Sequence, residues 1–527
     1  MKHRSRSLIV LAANTFAFAV CFAVWMMNGV LATFLDRNGV VPLTSAQIGW
    51  LLGAPVLTGA ILRLPVGLLT DRYGGRPVFT AVLLLSAAAT FLISFANDFT
   101  GLLLGSFGFG IAGSSFAVGV AYSSVWFERK RQGTVLGVFG AGNAGAAFTA
   151  MVGPTLLGQL TAGGTVLEAW RGFPRIYAAA LAGTAIIFWL VTENRRPDEP
   201  VVRTLGQRLE PLKQVRVWRF GLYYALVFGG YVALSQWLIP YYVGVYAMSL
   251  VTAGLISSIF SLPGGVIRAL GGFLSDRFGA RNVTYWVMGG CTICFLLLIV
   301  PRMEISMPGR SVLANEPGVV ASVSAEAVVV GSQTYSLRMG PTGGAELPRG
   351  RIGPVWRTWH DPAVSVGDQV GPNTVLARGT THYYFEAHVA VFTALVLLVG
   401  VLTGIGKASV YKYIPDYFPK DVGTVGGMVG VVGGLGGFFL PVAFGYALDW
   451  TGVWTSAWAI LFALSAACLL WLHLTVRALT KASAPAVFED IEHRPSRARH
   501  GTTESQHLAP SSRGASGSWS PDPVGDR

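Results

Sequence analysis

The sequence predicts an all-α polytopic membrane protein with twelve transmembrane helices in two pseudo-symmetric six-helix halves, and a small β-rich insertion between helices 9 and 10. The 527 residues are 52% hydrophobic and only 12% charged, about half the charged fraction of an average soluble protein. Twelve apolar stretches are long enough to cross a bilayer. They lie near 8–35, 45–70, 77–97, 99–124, 133–160, 173–191, 217–247, 250–275, 283–301, 385–413, 422–447 and 453–476.

Two halves are predicted because one pattern occurs twice. The pattern Arg-x3-Gly-x3-Asp-Arg-aromatic-Gly-x-Arg begins at Arg63 and again at Arg268. A second pair of glycine-rich stretches opens the fifth span at Gly133 and the eleventh at Gly423. Repeated signals at matching points indicate a duplication.

The spacing of these repeats also reveals an insertion. Arg63 and Thr134 are 71 residues apart, whereas Arg268 and Thr424 are 156 apart. The second half therefore contains about 85 extra residues, which the β-branched and Gly/Pro-rich composition places at 302–385. The expected organisation is a first half (1–191), a basic cytoplasmic linker (192–216), helices 7–9 (217–301), an extracytoplasmic β-rich insertion (302–385), helices 10–12 (386–476) and a disordered cytoplasmic tail (477–527).

The net charge of +13 follows the membrane topology and does not indicate nucleic acid. Basic residues concentrate in alternate connections. They include Lys2, Arg4 and Arg6 before the first span, Arg129, Lys130 and Arg131 after the fourth, and Arg195, Arg196, Arg203, Arg208 and Lys213 between the sixth and seventh. The positive-inside rule then predicts both termini in the cytoplasm. The first span is too long for a cleavable signal and lacks a small-residue cleavage site. We therefore expect a monomeric, multi-pass protein of the cytoplasmic (inner) membrane that contacts lipid.

Arg63 and Arg268 each precede the motif aspartate by eight residues on an apolar helix. At about 1.5 Å per residue, each guanidinium lies roughly 12 Å from that loop and inside the membrane. A buried cation is costly unless it meets water, a partner or an anionic ligand. Two such cations on a pseudo-symmetry axis predict a clamp for an anionic substrate; the alternative is a pair of arginines whose heads reach the membrane surface.

The loop after the second span, Asp71-Arg72-Tyr73-Gly74-Gly75-Arg76 with Gly67 before it, resembles the signature loop of the major facilitator superfamily. That resemblance implies alternating access, with the motif aspartates latching neighbouring helices on the cytoplasmic side. The gating and structural residues expected from the two copies are Gly67, Asp71, Arg72, Gly74, Arg76, Gly272, Asp276, Arg277, Gly279 and Arg281.

Glycines in the fifth and eleventh spans let helix backbones approach closely, slide and bend. They are Gly137, Gly140, Gly142, Gly145, Gly430, Gly433, Gly434, Gly436 and Gly437. The stretches Gly140–Gly145 and Gly433–Phe438 resemble the signatures of the nitrate/nitrite porter family, as does Gly404–Lys412 in the tenth span. Lys407 stands where that family often has asparagine.

This second resemblance implies that Arg63 and Arg268 bind nitrate or nitrite, with Asn143 as an amide donor and with Tyr224, Phe228 and Phe116 as aromatic walls. A planar guanidinium suits the planar anion because it donates two parallel hydrogen bonds. Ordinary helix packing is the alternative for Asn143 and for each aromatic residue.

No Asp or Glu lies deep inside any predicted span; Asp36, Glu386 and Asp449 are near span ends. Without a buried acid as proton relay, the two permanent cations need an anion before the carrier can reorient, which favours exchange of nitrate for nitrite. Proton–nitrate symport, transport of another small anion and a non-transporting anion sensor remain as alternatives. We expect no enzymatic activity, metal or cofactor, because the sequence shows no metal cluster, nucleophile–base pair or cofactor loop.

Overall fold

The computed structural model describes residues 2–127, 129–196, 210–300, 303–338, 355–385, 388–418 and 422–483. Within them, eleven helical units are long and apolar enough to cross a membrane, and a bent pair of helices supplies a twelfth. This confirms the predicted number of spans. The expected tail beyond residue 483 and the central part of the basic linker, 197–209, lie outside the described residues.

The first half contains spans 1 to 6. Their helices are α1 (Lys2–Trp25) and α2 (Asn28–Arg37) in span 1, α3 (Ser45–Tyr73) in span 2, α4 (Gly75–Leu92) in span 3, α5 (Phe99–Phe109) and α6 (Ser115–Trp126) in span 4, α7 (Arg129–Gly140) and α8 (Gly145–Leu160) in span 5, and α9 (Gly172–Val191) in span 6.

The second half contains spans 7 to 12. Their helices are α10 (Val215–Tyr224) and α11 (Gly230–Tyr246) in span 7, α12 (Leu250–Val266) and α13 (Arg268–Phe278) in span 8, α14 (Ala280–Leu298) in span 9, α15 (Val389–Tyr417) in span 10, α16 (Val422–Thr451) in span 11, and α17 (Ser456–Ser483) in span 12. The last helix continues to Ser483, beyond the expected end at 476.

Several spans are interrupted instead of running as single helices. Span 4 has a 3₁₀ turn at Gly110–Ser114, span 5 has one at Ala141–Ala144, and span 7 has a π-helical turn at Ala225–Gly229. Span 8 bends by 47° between α12 and α13, directly after Pro263-Gly264-Gly265, which weaken a helix. Such interruptions in membrane helices frequently mark functional sites.

The insertion between spans 9 and 10 is β-rich, as predicted. Its strands are β1 (Met303–Pro308), β2 (Val312–Leu313), β3 (Gly318–Val323), β4 (Ala327–Val330), β5 (Gln333–Ser336), β6 (Val355–Pro362), β7 (Gln369–Val370) and β8 (Val375–Phe385). One antiparallel sheet has β8 between β1 and β2 and also paired with β6; the other has the order β5-β4-β3-β7. Val320, Val328 and Leu376 are buried in the core that these strands share.

The two halves meet along two pairs of spans. Span 2 packs on span 11, and span 5 packs on span 8. We call the side of the membrane domain with the two Asp-Arg-aromatic-Gly loops the loop side, and the opposite side, from which the insertion extends, the insertion side.

Candidate functional site

Arg63 lies in the middle of span 2 and is 6% exposed. Its Nη1 donates to the carbonyl oxygen of Gly430 in span 11 at 2.7 Å, so the side chain already joins the two halves. Its Cζ is 5.5 Å from the ring centroid of Phe116 and 5.2 Å from that of Phe228. The guanidinium is therefore buried between aromatic faces, which favour a cation.

Arg268 is the first residue of α13, immediately after the bend in span 8. Its Cζ is 5.9 Å from the same Phe116 ring and 5.2 Å from the ring of Tyr411. A methyl group added at Gly140 would lie 3.4 Å from Arg268 Cδ, so this glycine of span 5 leaves room for the side chain. The two arginines that the sequence paired thus converge on one phenylalanine.

The predicted aromatic walls come together with them. Tyr224 and Phe228 of span 7 are stacked, with centroids 5.1 Å apart and planes 6° apart. Tyr411 of span 10 meets Tyr224 edge-on at 4.7 Å and donates its hydroxyl to the Gly426 carbonyl at 3.0 Å. Sequence reasoning did not include Tyr411 among the site residues, although it belongs to the tenth-span stretch that includes Lys407.

Asn143 lies in the 3₁₀ turn of span 5 and is 1% exposed. Among the described residues, neither its Nδ2 nor its Oδ1 has a hydrogen-bond partner. A buried polar group without a partner costs free energy and is therefore rare. Among the described residues, the Asn143 side chain therefore does not make the helix–helix hydrogen bond that was the alternative to anion binding.

The signature glycines divide into packing positions and site positions. Methyl groups at Gly142 and Gly145 would collide with Phe18 and Ala19 of span 1, and those at Gly433 and Gly436 with Tyr224 and Ala225 of span 7. These four glycines let span 5 and span 11 lie against their neighbours within the same half. Gly140 and Gly430, in contrast, border the two arginines.

Between the halves, packing is tight from the arginines to the insertion side. A Cβ at Gly434 would lie 2.9 Å from Ala60 Cβ, and one at Gly49 would lie 2.3 Å from the Pro441 carbonyl oxygen. In the other pair of spans, a Cβ at Gly265 would lie 3.0 Å from Ala144 N, and one at Gly254 would lie 2.2 Å from the Ala150 oxygen.

The packing is different one helical turn toward the loop side. A Cβ at Gly67, Gly137, Gly272 or Gly427 would meet no atom within 4 Å. Gly67 and Gly272 follow Arg63 and Arg268 by four residues and so share their helix faces. The close packing that surrounds the arginines on the insertion side therefore ends within one turn of them on the loop side.

The insertion side is also held closed by hydrogen bonds that the sequence did not predict. The Asp449 carboxylate at the end of span 11 accepts from the backbone N–H groups of Ser45 and Ala46, at 3.0 and 2.8 Å, at the start of span 2. Arg37 Nη1 donates to the Met248 carbonyl at 2.7 Å. These contacts join the first half to the second.

The loop motifs have the geometry of helix ends. Gly74 and Gly279 have φ of 91° and 82°, a conformation that favours glycine and stops each helix. Asp276 pairs with Lys412 of span 10 at 2.6 Å, which latches two helices of the second half. Arg76 stacks on Trp189 at 4.1 Å, and Arg72 and Arg277 lie over their neighbours Tyr73 and Phe278. Arg281 interacts with Tyr285.

Comparisons with known proteins agree with this geometry. The profile described as Major Facilitator Superfamily matches residues 14–342 and 374–511. A protein of Thermus thermophilus, named as a probable nitrate/nitrite antiporter NarK1, is 39% identical over 93% of this chain and 96% of its own length. A probable nitrate transporter NarT of Staphylococcus carnosus is 25% identical over 87% of this chain and 93% of its own.

Among solved structures, a bacterial homologue of the human lysosomal transporter Spinster, in an inward-facing and occupied conformation, matches with a TM-score of 0.57. The match covers 90% of this chain and 95% of that one at 16% identity, and it shows the shared fold. With the twelve spans, the duplicated motifs and these relatives together, the chain belongs to the major facilitator superfamily and, within it, to the nitrate/nitrite porter family.

Proposed function

We propose that this protein transports nitrate and nitrite across the cytoplasmic (inner) membrane by alternating access, and that it exchanges one for the other. The observation that carries the proposal is the convergence of Arg63 and Arg268 on the Phe116 ring, between the two halves. A single anion there would be held by one guanidinium from each half, so its binding would draw the halves together.

The shape of the pocket supports a small planar anion. Guanidinium groups donate two parallel hydrogen bonds in a plane, and the rings of Phe116, Tyr224 and Phe228 offer flat faces. Asn143 has a buried amide with unused hydrogen-bonding capacity. Nitrate and nitrite carry acceptor oxygens in one plane, which suits both features.

Charge supports exchange over transport in one direction. Within the described spans, acidic residues lie at the helix ends; examples are Asp71, Asp276 and Asp449. The two guanidiniums therefore have no buried carboxylate to balance them, and moving them empty through the closed state is costly. An anion that is bound during reorientation in each direction lowers that cost.

The positive-inside rule supports placing the loop side in the cytoplasm, together with both termini. In that orientation the present conformation opens to the cytoplasm, and the insertion lies outside. The Asp276–Lys412 pair then acts as a cytoplasmic latch, and Asp71 has the matching place in the first half.

The test is uptake of labelled nitrate into proteoliposomes with and without internal nitrite, for the wild type and for Arg63→Lys and Arg268→Lys. We expect uptake that requires internal nitrite and disappears in both variants. Arg175→Lys is the matched control, since Arg175 lies over Phe95 outside the site. Uptake into nitrite-free vesicles driven by a pH gradient would replace exchange with symport.

A panel of competing anions tests the substrate. Unlabelled nitrate and nitrite should compete strongly, whereas spherical chloride and divalent sulfate should not. Binding of nitrate without any uptake would instead identify a sensor, and strong competition by sulfate would identify a porter for another anion.

A further inference from the structure

Lys407 of span 10 is a third cationic side chain next to the anion site. It is 0% exposed, and its Nζ donates to the Gly264 carbonyl at 2.8 Å. Gly264 lies in the last turn of α12, where the carbonyl oxygens have no N–H donor from a following helical turn. Lys407 therefore binds the helix end that immediately precedes Arg268.

Aromatic rings connect Lys407 to the rest of the site. Its Nζ lies 3.1 Å from the ring centroid of Tyr231 and 6.0 Å from that of Phe228. The Tyr231 hydroxyl donates to the Ser261 carbonyl at 2.9 Å and approaches the Asn143 carbonyl of the other half at 3.3 Å. Tyr231 thus lies between Lys407 and Asn143, and Lys407 also faces Phe228 of the stacked aromatic pair.

Among the residues that the structure describes, no carboxylate is found among the charged and titratable groups around Lys407. Those that face it or the adjoining anion site are Arg268, Arg63, Tyr231, Tyr224 and Tyr411. In the part of the chain that the structure describes, the acidic residues of the neighbouring spans lie at span ends: Asp36, Asp71, Asp276, Asp416 and Asp449. An ammonium group buried near the Arg268 guanidinium is repelled by it, and a bound anion supplies a compensating charge.

We propose that Lys407 couples anion binding to proton binding: a proton from the solution on the open side binds its Nζ when the anion enters, and it leaves with the anion. This rests on the proposed function, because it requires that the site bind an anion. By thermodynamic linkage each ligand then strengthens the binding of the other.

The coupling determines whether protons move with the anions during exchange. During exchange, nitrate and nitrite each travel with a protonated Lys407, so no net proton moves and a pH gradient has no effect. An empty carrier that has released the proton carries the same formal charge as the loaded one. The two guanidiniums of that empty carrier still lack an anion, so its return through the closed state remains costly and transport remains exchange.

The test is titration calorimetry of nitrate into the purified full-length protein at fixed pH, in two buffers with different ionisation enthalpies. A wild-type binding enthalpy that depends on the buffer gives the number of protons taken up, which we expect to lie between zero and one. The affinity of the wild-type protein for nitrate should rise as the pH falls, by at most about tenfold per pH unit for one proton. Lys407→Gln should bind with a buffer-independent enthalpy and a flat pH profile, whereas Lys213→Gln, at an exposed lysine, should match the wild type.

Proton uptake that persists in Lys407→Gln, or is absent in the wild type, would overturn the proposal. Absence of any nitrate binding by the wild type would instead contradict the proposed function. If Lys407→Gln does not bind, Lys407→Arg keeps a permanent cation and should bind without proton uptake. If neither variant binds nitrate, Tyr231→Phe and Tyr411→Phe test whether a tyrosine takes up the proton instead. Loss of proton uptake in either variant contradicts the assignment to Lys407, and proton uptake retained in both supports it.

Discussion

The interface between the two halves has opposite character on the two sides of the arginines. Toward the insertion side, backbones of spans 2 and 11 touch where a Cβ at Gly49 would lie 2.3 Å from the Pro441 oxygen. Toward the loop side, glycines at equivalent positions, such as Gly67, meet nothing within 4 Å. Arg63 and Arg268 lie where the tight region ends.

This difference shows how the site can serve two sides of a membrane. In both pairs of spans the tight packing ends at the same depth, so the looser packing is a property of the half-to-half interface and not of one displaced helix. Two rigid halves that rock about the arginines would close the loop side and open the insertion side. Small residues along all four helices permit close approach on whichever side is shut.

The largest effect is expected from the residues at the boundary. Arg63→Lys and Arg268→Lys replace a planar fork by a point charge and shorten the reach to the anion. We expect nitrate affinity to fall by about a hundredfold or more, which corresponds to about 3 kcal/mol. Equilibrium binding to purified protein measures this, and near-wild-type affinity in either variant would remove that arginine from the site.

The next largest effect is expected on stability, when a glycine on the insertion side and one on the loop side are each replaced by alanine. Gly49→Ala forces overpacking on the insertion side and should destabilise the present conformation by about 2 kcal/mol. Gly67→Ala meets open space and improves helix propensity, so this conformation should be equally or more stable. Thermal unfolding should show a lower Tm for Gly49→Ala only; a lower Tm for Gly67→Ala as well would mean that its helix face is packed.

The rate of transport tests the loop side in its closed state. Gly67→Ala should still slow nitrate exchange, because its methyl group meets the other half when the loop side closes. Gly272→Ala occupies the equivalent place in the second half and should behave alike. Full transport rates in both variants would contradict a closed state with tight packing on the loop side.

A smaller effect is expected at Asn143. Asn143→Ala removes an amide that has no partner among the described residues, so the protein should lose little stability while the anion loses a hydrogen bond. The apparent KM for nitrate should rise about tenfold, equivalent to about 1.4 kcal/mol. A large loss of Tm with an unchanged KM would indicate a structural role instead.

The smallest effect is expected at Asp449. Asp449→Asn keeps one acceptor oxygen for the N–H groups of Ser45 and Ala46 but replaces the other by an NH2 donor. It also removes the charge that favours a helix N-terminus, worth about 0.5–1 kcal/mol. The insertion side should open two- to fivefold more often, measured as the labelling rate of a cysteine placed at Asn38. An unchanged rate would show that Asp449 does not hold this side closed.

The span count, the duplication and the pairing of Arg63 with Arg268 were predictable because hydropathy and local repeats record them directly. Asn143 and the Tyr224–Phe228 pair were also predicted. In the structure Phe228 faces Arg63 and Tyr224 stacks on Phe228, while the Asn143 carbonyl accepts from the Tyr231 hydroxyl. The role of Tyr411 and the Asp449 contacts were missed because they depend on which spans meet across the halves. The bend before Arg268 was also missed, although Pro263-Gly264-Gly265 gave a signal for it.

Alternating access about the paired arginines is tested most directly by measuring both sides of the interface in one protein. Spin labels at Asn38 and Thr252 report on the insertion side, and labels at Thr134 and Phe278 report on the loop side. With increasing nitrate, we expect the loop-side distance to shorten in a growing fraction of molecules. The insertion-side distance should lengthen only in molecules whose loop side has closed, and Arg63→Lys should abolish both changes. Distances that stay fixed, or two sides that open together, would contradict alternating access about the paired arginines.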